Sequence, residues 1–117
     1  MSDQSEQRGV CDRFGSAFDP PSATAKVGIA LGSLASFPLN ALRHPPDGDT
    51  CGWYIWGGEV MSQAPDFFAP LHAFHLAEYC PSLVPYLALA PGWRVLLAPG
   101  QEDAWFDQSL LGKHAGA

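Results

Sequence analysis

Four short apolar segments, separated by polar stretches that contain Gly and Pro, predict four β-strands; in the first of them Val27, Ile29 and Leu31 alternate with small residues. The predicted strands are 26–34, 52–60, 93–98 and 104–107. In the second strand, alternation places Trp53 and Ile55 on one face and Tyr54 and Trp56 on the other. Since both faces carry large apolar side chains, we expect both to be covered. The last two strands form a predicted hairpin with a loop of about five residues.

Between the second and third strands, the apolar residues change to a helical spacing. Over 65–79, Phe67, Leu71 and Phe74 form one stripe, which predicts an α-helix. Pro81 ends this helix, and Ser82 can cap a second short helix that extends to about residue 87. The proline-rich segment 36–49 is predicted to be a loop. The order of elements therefore predicts an α+β fold, a small and mostly antiparallel sheet with helices packed on one face.

The length of 117 residues fits one domain. We expect a flexible or irregular amino-terminal segment at 1–25, with at most a short turn or helix at 11–18. The globular domain is expected at 26–112, followed by a tail at 113–117. Three cysteines at wide spacing suit neither a disulfide framework nor a zinc motif, so we expect buried thiols in a reducing compartment. They are Cys11, Cys51 and Cys80.

Charge is distributed unevenly along the chain. The region 44–112 contains eight acidic residues, and Arg94 is its one Lys or Arg. This balance argues against nucleic acid and anionic membranes as partners, because both attract basic surfaces. It favours a basic protein partner, since complementary charge speeds and selects encounter. The chain has no signal-peptide pattern and no apolar run of about 20 residues, which predicts a location in the bacterial cytoplasm.

Two histidines are the strongest candidates for other chemistry. His72 and His75 are spaced to face one way on a helix, and Cys80, Glu78 or His44 could complete a zinc site. No HExxH pattern, phosphate-binding loop or convincing nucleophile pair accompanies them. We therefore predict no catalytic residue, no metal and no cofactor. A small metal- or ligand-binding module, or an enzyme, centred on His72 and His75 is the alternative.

The chain is rich in large aromatic residues, most of which are expected in the core. Any that are exposed beside acidic residues would form a mixture typical of protein–protein hot spots. The turn 100–103 is acidic and expected to be exposed. The candidate partner-binding residues are Arg43, His44, Glu59, Glu102, Asp103, Trp105 and Asp107.

Six sequence motifs occur in order between residues 27 and 111. They are Leu42-Arg43-His44-Pro45-Pro46, Gly52-Trp53-Tyr54-Ile55-Trp56, Asp66-Phe67-Phe68-x-Pro70-Leu71-His72, 81–89, Pro91-Gly92-Trp93-Arg94 and Glu102-Asp103-x-Trp105-Phe106-Asp107. Together they resemble the Imm33-like immunity proteins of bacterial polymorphic toxin and secretion systems, including type VI secretion. The resemblance implies a neutraliser of a cognate toxin with no enzymatic activity, and it transfers no catalytic residues. It leaves open whether the chain is a monomer or a homodimer.

Overall fold

The computed structural model describes residues 2–59 and 67–111, which form one sheet flanked by helices. The chain begins with α1 (Ser2–Phe14). The strands are β1 (Lys26–Ile29), β2 (Leu39–Arg43), β3 (Thr50–Gly57), β4 (Ala69–His72), β5 (Trp93–Ala98) and β6 (Gln101–Phe106). The described residues also form a short helix α2 (Leu76–Tyr79) and three 3₁₀ segments, Leu31–Ser33, Ala73–His75 and Pro81–Tyr86.

The six strands form one sheet in the order β4-β1-β3-β2-β5-β6. β1 and β3 run parallel, and every other neighbouring pair is antiparallel. This confirms the predicted α+β class with a mostly antiparallel sheet. β2, which the sequence pattern did not predict, lies in the middle of the sheet between β3 and β5.

One face of the sheet packs against the helices and forms the main core. Trp53 and Ile55 of β3 lie on this face with Val95 of β5, and all three are buried. α1 supplies Val10 and Cys11, and the segment from Ala73 to Leu89 supplies the rest of the helical layer. The predicted packing of helices on one face is therefore confirmed.

The opposite face, here called the open face, has a smaller apolar cluster. Trp56 and Leu42 are buried there with Leu110, while Tyr54 and Phe68 are partly buried beside them. The predicted division of β3, with Trp53 and Ile55 on one side and Tyr54 and Trp56 on the other, is thus confirmed. None of the helices in the described ranges is long and apolar enough to cross a membrane.

The amino-terminal segment contains a helix where an irregular segment was expected. α1 has few apolar residues, which is why the sequence pattern did not reveal it, but it buries Val10 and Cys11 in the main core and packs against the 3₁₀ segment Pro81–Tyr86. Gln7 also donates a hydrogen bond to the Val84 carbonyl at 2.9 Å. Tertiary packing of this kind stabilises short helices that propensity alone would not. Gly15, with a φ of 88°, ends the helix.

The prediction of a loop over 36–49 was wrong, because β2 occupies its centre. Prolines flank the strand, and the polar residues Asn40 and Arg43 interrupt its apolar pattern. Asn40 satisfies its amide by donating to the Gly58 carbonyl at 2.8 Å, and Arg43 donates to carbonyls in the core. In a strand of five residues with two polar side chains hydrogen-bonded inside the protein, apolar and polar positions do not alternate clearly.

The long helix predicted over 65–79 is also absent from the described part of that range, 67–79. Ala69–His72 forms β4, and only Leu76–Tyr79 is α-helical. Pro70 lacks the N–H that a helix interior needs, whereas an edge strand such as β4 accommodates proline. The predicted hairpin of β5 and β6 is present, but its loop is Pro99-Gly100 rather than about five residues, because β6 begins at Gln101. Residues 113–117 of the expected tail lie outside the described ranges.

Candidate partner-binding surface

A row of residues in register crosses the open face through all six strands. Strand register places these residues side by side in the order Pro70, Gly28, Tyr54, Leu42, Arg94 and Trp105. The row joins the aromatic centre of the open face to its edge at β6. Five of the seven sequence candidates lie on or beside this face, namely His44, Glu59, Asp103, Trp105 and Asp107.

Trp105, Arg94 and Asp107 form a cluster at the β6 edge. Trp105 is 41% exposed, and the guanidinium carbon of Arg94 lies 5.8 Å from the centre of its ring. Arg94 donates to Asp107 at 3.1 Å, and Asp107 also accepts hydrogen bonds from the backbone and hydroxyl of Ser109. These bonds, first from Ser109 and then from Arg94, hold the pKa of Asp107 below its usual value. The cluster is thus an exposed indole beside an Arg94–Asp107 ion pair.

Asp103 lies two residues from Trp105 on the same face of β6. It is exposed, and it accepts a hydrogen bond from the Gln101 side chain at 3.0 Å. No ion pair involves it within the described ranges. Its carboxylate is therefore available to a basic partner that approaches Trp105.

Glu102 lies on the other face of β6, although it is the neighbour of Asp103. It accepts two hydrogen bonds from Arg13 of α1, at 2.9 and 3.0 Å, and one from the Tyr86 hydroxyl. We call these three residues the Glu102 latch. Arg13 and then Tyr86 lower the pKa of Glu102 to about 2, while burial and then Glu102 raise the pKa of Tyr86 to about 12. The Glu102 carboxylate therefore links α1 and the 3₁₀ segment Pro81–Tyr86 to the edge strand β6.

Arg43 is a core residue, only 2% exposed, so its side chain cannot serve as a surface contact. It donates to the carbonyls of Cys51 (3.0 Å), Asp19 (2.8 Å) and Leu89 (2.7 Å). Trp53, its partner on β3, donates to the Leu87 carbonyl at 2.9 Å. Burial lowers the pKa of the Arg43 guanidinium. Arg43 thus ties the loop before β5, and the segment after α1, to the centre of the sheet.

His44 and Glu59 line a groove on the open face with a volume of ≈ 730 Å³. The His44 ring packs edge-on against Tyr54 at 5.7 Å, and its Nδ1 lies 3.3 Å from the Leu110 carbonyl. Glu59 is exposed in the bend that follows β3. Sequence reasoning missed Arg94, Phe68 and Leu110 as parts of this surface. For Arg94 a signal existed, since it is the one base in an acidic region.

The two histidines of the metal-binding alternative do not lie on one helix. His72 ends β4 and His75 lies in a 3₁₀ turn, with ring centres 6.2 Å apart. His75 is 2.9 Å from Glu78, and Phe74 stacks against His72. Among the described residues, no group of three or more His, Cys, Asp or Glu side chains could hold a metal ion. No observation therefore favours the metal-binding alternative.

All three cysteines are buried free thiols, as the sequence predicts. Burial raises the pKa of each, and most of the opposing effects come from hydrogen bonds and from Arg43 near Cys11 and Cys51. A thiol with a raised pKa is a poor nucleophile at neutral pH. The cysteines are thus part of the core rather than of a reactive site.

Comparison with known proteins gives one match. A family model of the Imm33-like domain matches residues 6–107, which include most of α1 and all six strands. No curated protein and no solved structure matches the chain.

Proposed function

The chain belongs to the Imm33-like family, and from this premise we propose that it is an immunity protein that binds a cognate bacterial toxin and neutralises it by direct contact. The family match over 6–107 is the observation that carries this proposal. In this function the protein needs no catalytic residue and no cofactor. The toxin would be one that a secretion system, such as type VI, delivers, and the complex would form in the bacterial cytoplasm.

The contact surface that we propose is the β6 side of the open face. Trp105 supplies a large, exposed apolar side chain that a partner can cover. Tryptophans that become buried in a protein–protein interface are frequent among the residues that dominate its binding energy. Arg94, itself paired with Asp107, lies over the indole ring from one side, and a contact of this kind reduces the side-chain freedom that binding would remove. Asp103 adds an exposed carboxylate beside it.

The charge of this surface favours a basic toxin surface. Within the described ranges Asp103 forms no ion pair, and Arg94 is neutralised by Asp107. The chain as a whole has a formal net charge of −6. Complementary charge mainly increases the association rate, whereas covering the indole lowers the dissociation rate. We therefore expect binding that weakens as salt rises.

The test is co-expression of the chain with the toxic protein encoded beside it, followed by growth measurement and co-purification. The wild-type chain should restore growth and elute with the toxin as a stoichiometric complex. Trp105→Ala should weaken the purified complex by about 30-fold or more, the equivalent of about 2 kcal/mol. Asp103→Lys should reduce the affinity of the complex more at low salt than at high salt, because salt screens the attraction between Asp103 and a basic partner.

Phe74→Ala is the matched control, since Phe74 is an exposed aromatic residue that lies beside Ala73, Val84 and Leu87 on the helical side of the sheet. It should leave affinity unchanged. Glu102→Lys is not a clean interface probe, because it also breaks the Glu102 latch. Failure of the wild-type chain to restore growth or to bind the toxin would refute the proposed function. Unchanged affinity of Trp105→Ala would refute the proposed contact surface alone.

A further inference from the structure

The strand β6 forms one edge of the sheet, and its outer side is not paired with another described strand. The strand order places β6 last, next to β5. All residues of Gln101–Phe106 pair with β5, and all except Ala104 are exposed. Arg13 of α1 contacts this strand through the Glu102 side chain rather than through its backbone. The outer edge of β6 can therefore be reached by another protein.

Alternation along β6 decides which of its backbone groups point outward. The Asp107 N–H donates to the Gly92 carbonyl at 2.7 Å, so residue 107 is directed towards the β5 side. In an antiparallel pair, successive residues bond to opposite sides, which directs the odd-numbered residues of β6 inward and leaves Glu102, Ala104 and Phe106 directed outward. Within the described ranges, no turn, loop or side chain bonds to the backbones of these three residues. Their N–H and carbonyl groups therefore face away from the sheet.

The opposite edge of the sheet, at β4, is protected against strand pairing. The Ala73 N–H, directly after β4, donates to the Ala25 carbonyl at 2.8 Å, so the same alternation directs Pro70 outward. Proline has no N–H to donate, and proteins place it on edge strands, where it prevents pairing with a further strand. β6 contains no proline, and no bulge interrupts its pairing with β5. The fold thus blocks one edge of the sheet and leaves the other able to pair.

The charges on β6 favour one kind of added strand. β6 carries Glu102 and Asp103 and has no Lys or Arg. A second copy of the chain would bring the same acids and no cation to this edge, and each copy has a formal net charge of −6. Like charges on neighbouring strands are destabilising, whereas opposite charges stabilise the pair. Since Asp103 forms no ion pair within the described ranges, charge complementarity favours a basic strand from a different protein.

We propose that the outer edge of β6 receives an extended strand of the toxin, which continues the sheet. The added strand bonds to the backbones of Glu102, Ala104 and Phe106. On the open face it places a large apolar residue beside Trp105 and, two residues along, a Lys or Arg beside Asp103, because side chains on one face recur at every second residue. Strand addition to an exposed sheet edge is a recurring way to bind an extended segment. The inference rests on the proposed function, since it names the form in which the toxin is recognised.

The first test compares Ala104→Pro with Ala104→Ser in binding to the toxic protein encoded beside the chain. Proline removes the outward N–H and places its ring where the added strand lies, but it breaks no hydrogen bond to β5. Its affinity for the toxin should fall at least about tenfold, the equivalent of about 1.4 kcal/mol. Serine keeps the N–H at a similar size, so Ala104→Ser should bind as the wild type does. Equal urea midpoints for the two variants would show that the proline variant is folded.

The second test needs no substitution, and it decides the question if Ala104→Pro does not fold. It measures amide hydrogen exchange of the ¹⁵N-labelled wild-type chain by NMR. In the free chain, the amides of Ala104 and Phe106 should exchange faster than those of Asp103 and Trp105, which are bonded to β5. Toxin binding should slow exchange at Ala104 and Phe106 at least about tenfold. The amide of His72, at the β4 edge, is the control and should be unaffected.

The outcomes separate this inference from the proposed function. The inference alone is refuted if the wild-type chain binds the toxin and restores growth while Ala104→Pro binds equally well, or while exchange at Ala104 and Phe106 stays fast. It is also overturned if light scattering shows that the chain alone is a dimer and that Ala104→Pro is a monomer, because a second copy then occupies the edge. Toxin binding through this edge without restored growth refutes the neutralising function alone. If the wild-type chain does not bind the toxin, both are refuted.

Discussion

Replacement of Arg43 by methionine tests whether this residue stabilises the fold or contacts a partner. The change keeps much of the side-chain volume but removes the donors to the carbonyls of Cys51 and Leu89, two residues that are almost fully buried. The Asp19 carbonyl loses its donor too, but Asp19 is exposed and water can replace it. The Leu87 carbonyl keeps the hydrogen bond from Trp53. Two buried carbonyls are therefore left without this donor.

The magnitude follows from these two carbonyls. Each buried acceptor that loses its partner costs about 1–3 kcal/mol. Removing a buried guanidinium also removes its desolvation cost, which offsets part of this loss. We expect the free energy of unfolding to fall by about 2–4 kcal/mol. For a domain of this size, that lowers the melting temperature by about 10 °C.

The assay is urea unfolding of Arg43→Met, Arg43→Lys and Arg94→Met beside the wild type. Lysine keeps the charge but not the forked geometry, so it should lose nearly as much stability as methionine. Arg94→Met removes a partly exposed ion pair and should cost about 1 kcal/mol or less. A urea midpoint of Arg43→Met equal to that of Arg94→Met would refute the structural role. If Arg43→Met had normal stability but no longer bound the toxin, Arg43 would instead be a contact residue.

Three further predictions address the latch, the groove and the thiols. Because the Glu102 latch lowers a carboxyl pKa from 4.5 to about 2, it stabilises the fold above about pH 4.5, and this contribution is lost as the pH falls towards 2. Solvent screens the partly exposed pair, so Glu102→Gln should cost about 1 kcal/mol at pH 7 in urea unfolding and progressively less below pH 4.5, and a constant difference would contradict this. Gly28→Ala should cost about 1–3 kcal/mol through collision with Tyr54. Gly32 has open space around it, so Gly32→Ala should leave the free energy of unfolding nearly unchanged. Equal urea midpoints for the two variants would contradict the packing of Tyr54 over Gly28. By mass spectrometry, iodoacetamide at pH 8 should modify no cysteine in the folded protein and all three in urea, so an adduct on the folded chain would show that a thiol is accessible.

The fold class and the faces of β3 could be predicted from sequence because aromatic and β-branched residues mark a strand strongly. β2 could not, because Asn40 and Arg43 carry polar groups whose partners lie far away in sequence. The helix predicted over 65–79 had a suitable apolar spacing, but pairing of Ala69–His72 with β1 prevailed. In each of these cases a tertiary contact, which a local pattern does not contain, decided the structure.

Prediction of the candidate site was limited in a similar way, since composition does not say which face a charge occupies. Glu102 and Asp103 are adjacent acids in an acidic turn, and the sequence gives them the same role. Alternation along β6 instead places Glu102 on the helical face, where Arg13 binds it, and places Asp103 on the open face. The two roles require different tests. Loss of Glu102 should change stability with pH, whereas loss of Asp103 should change the salt dependence of toxin binding. The count of acidic residues predicts a basic partner, but only the strand register identifies the carboxylates that such a partner can reach.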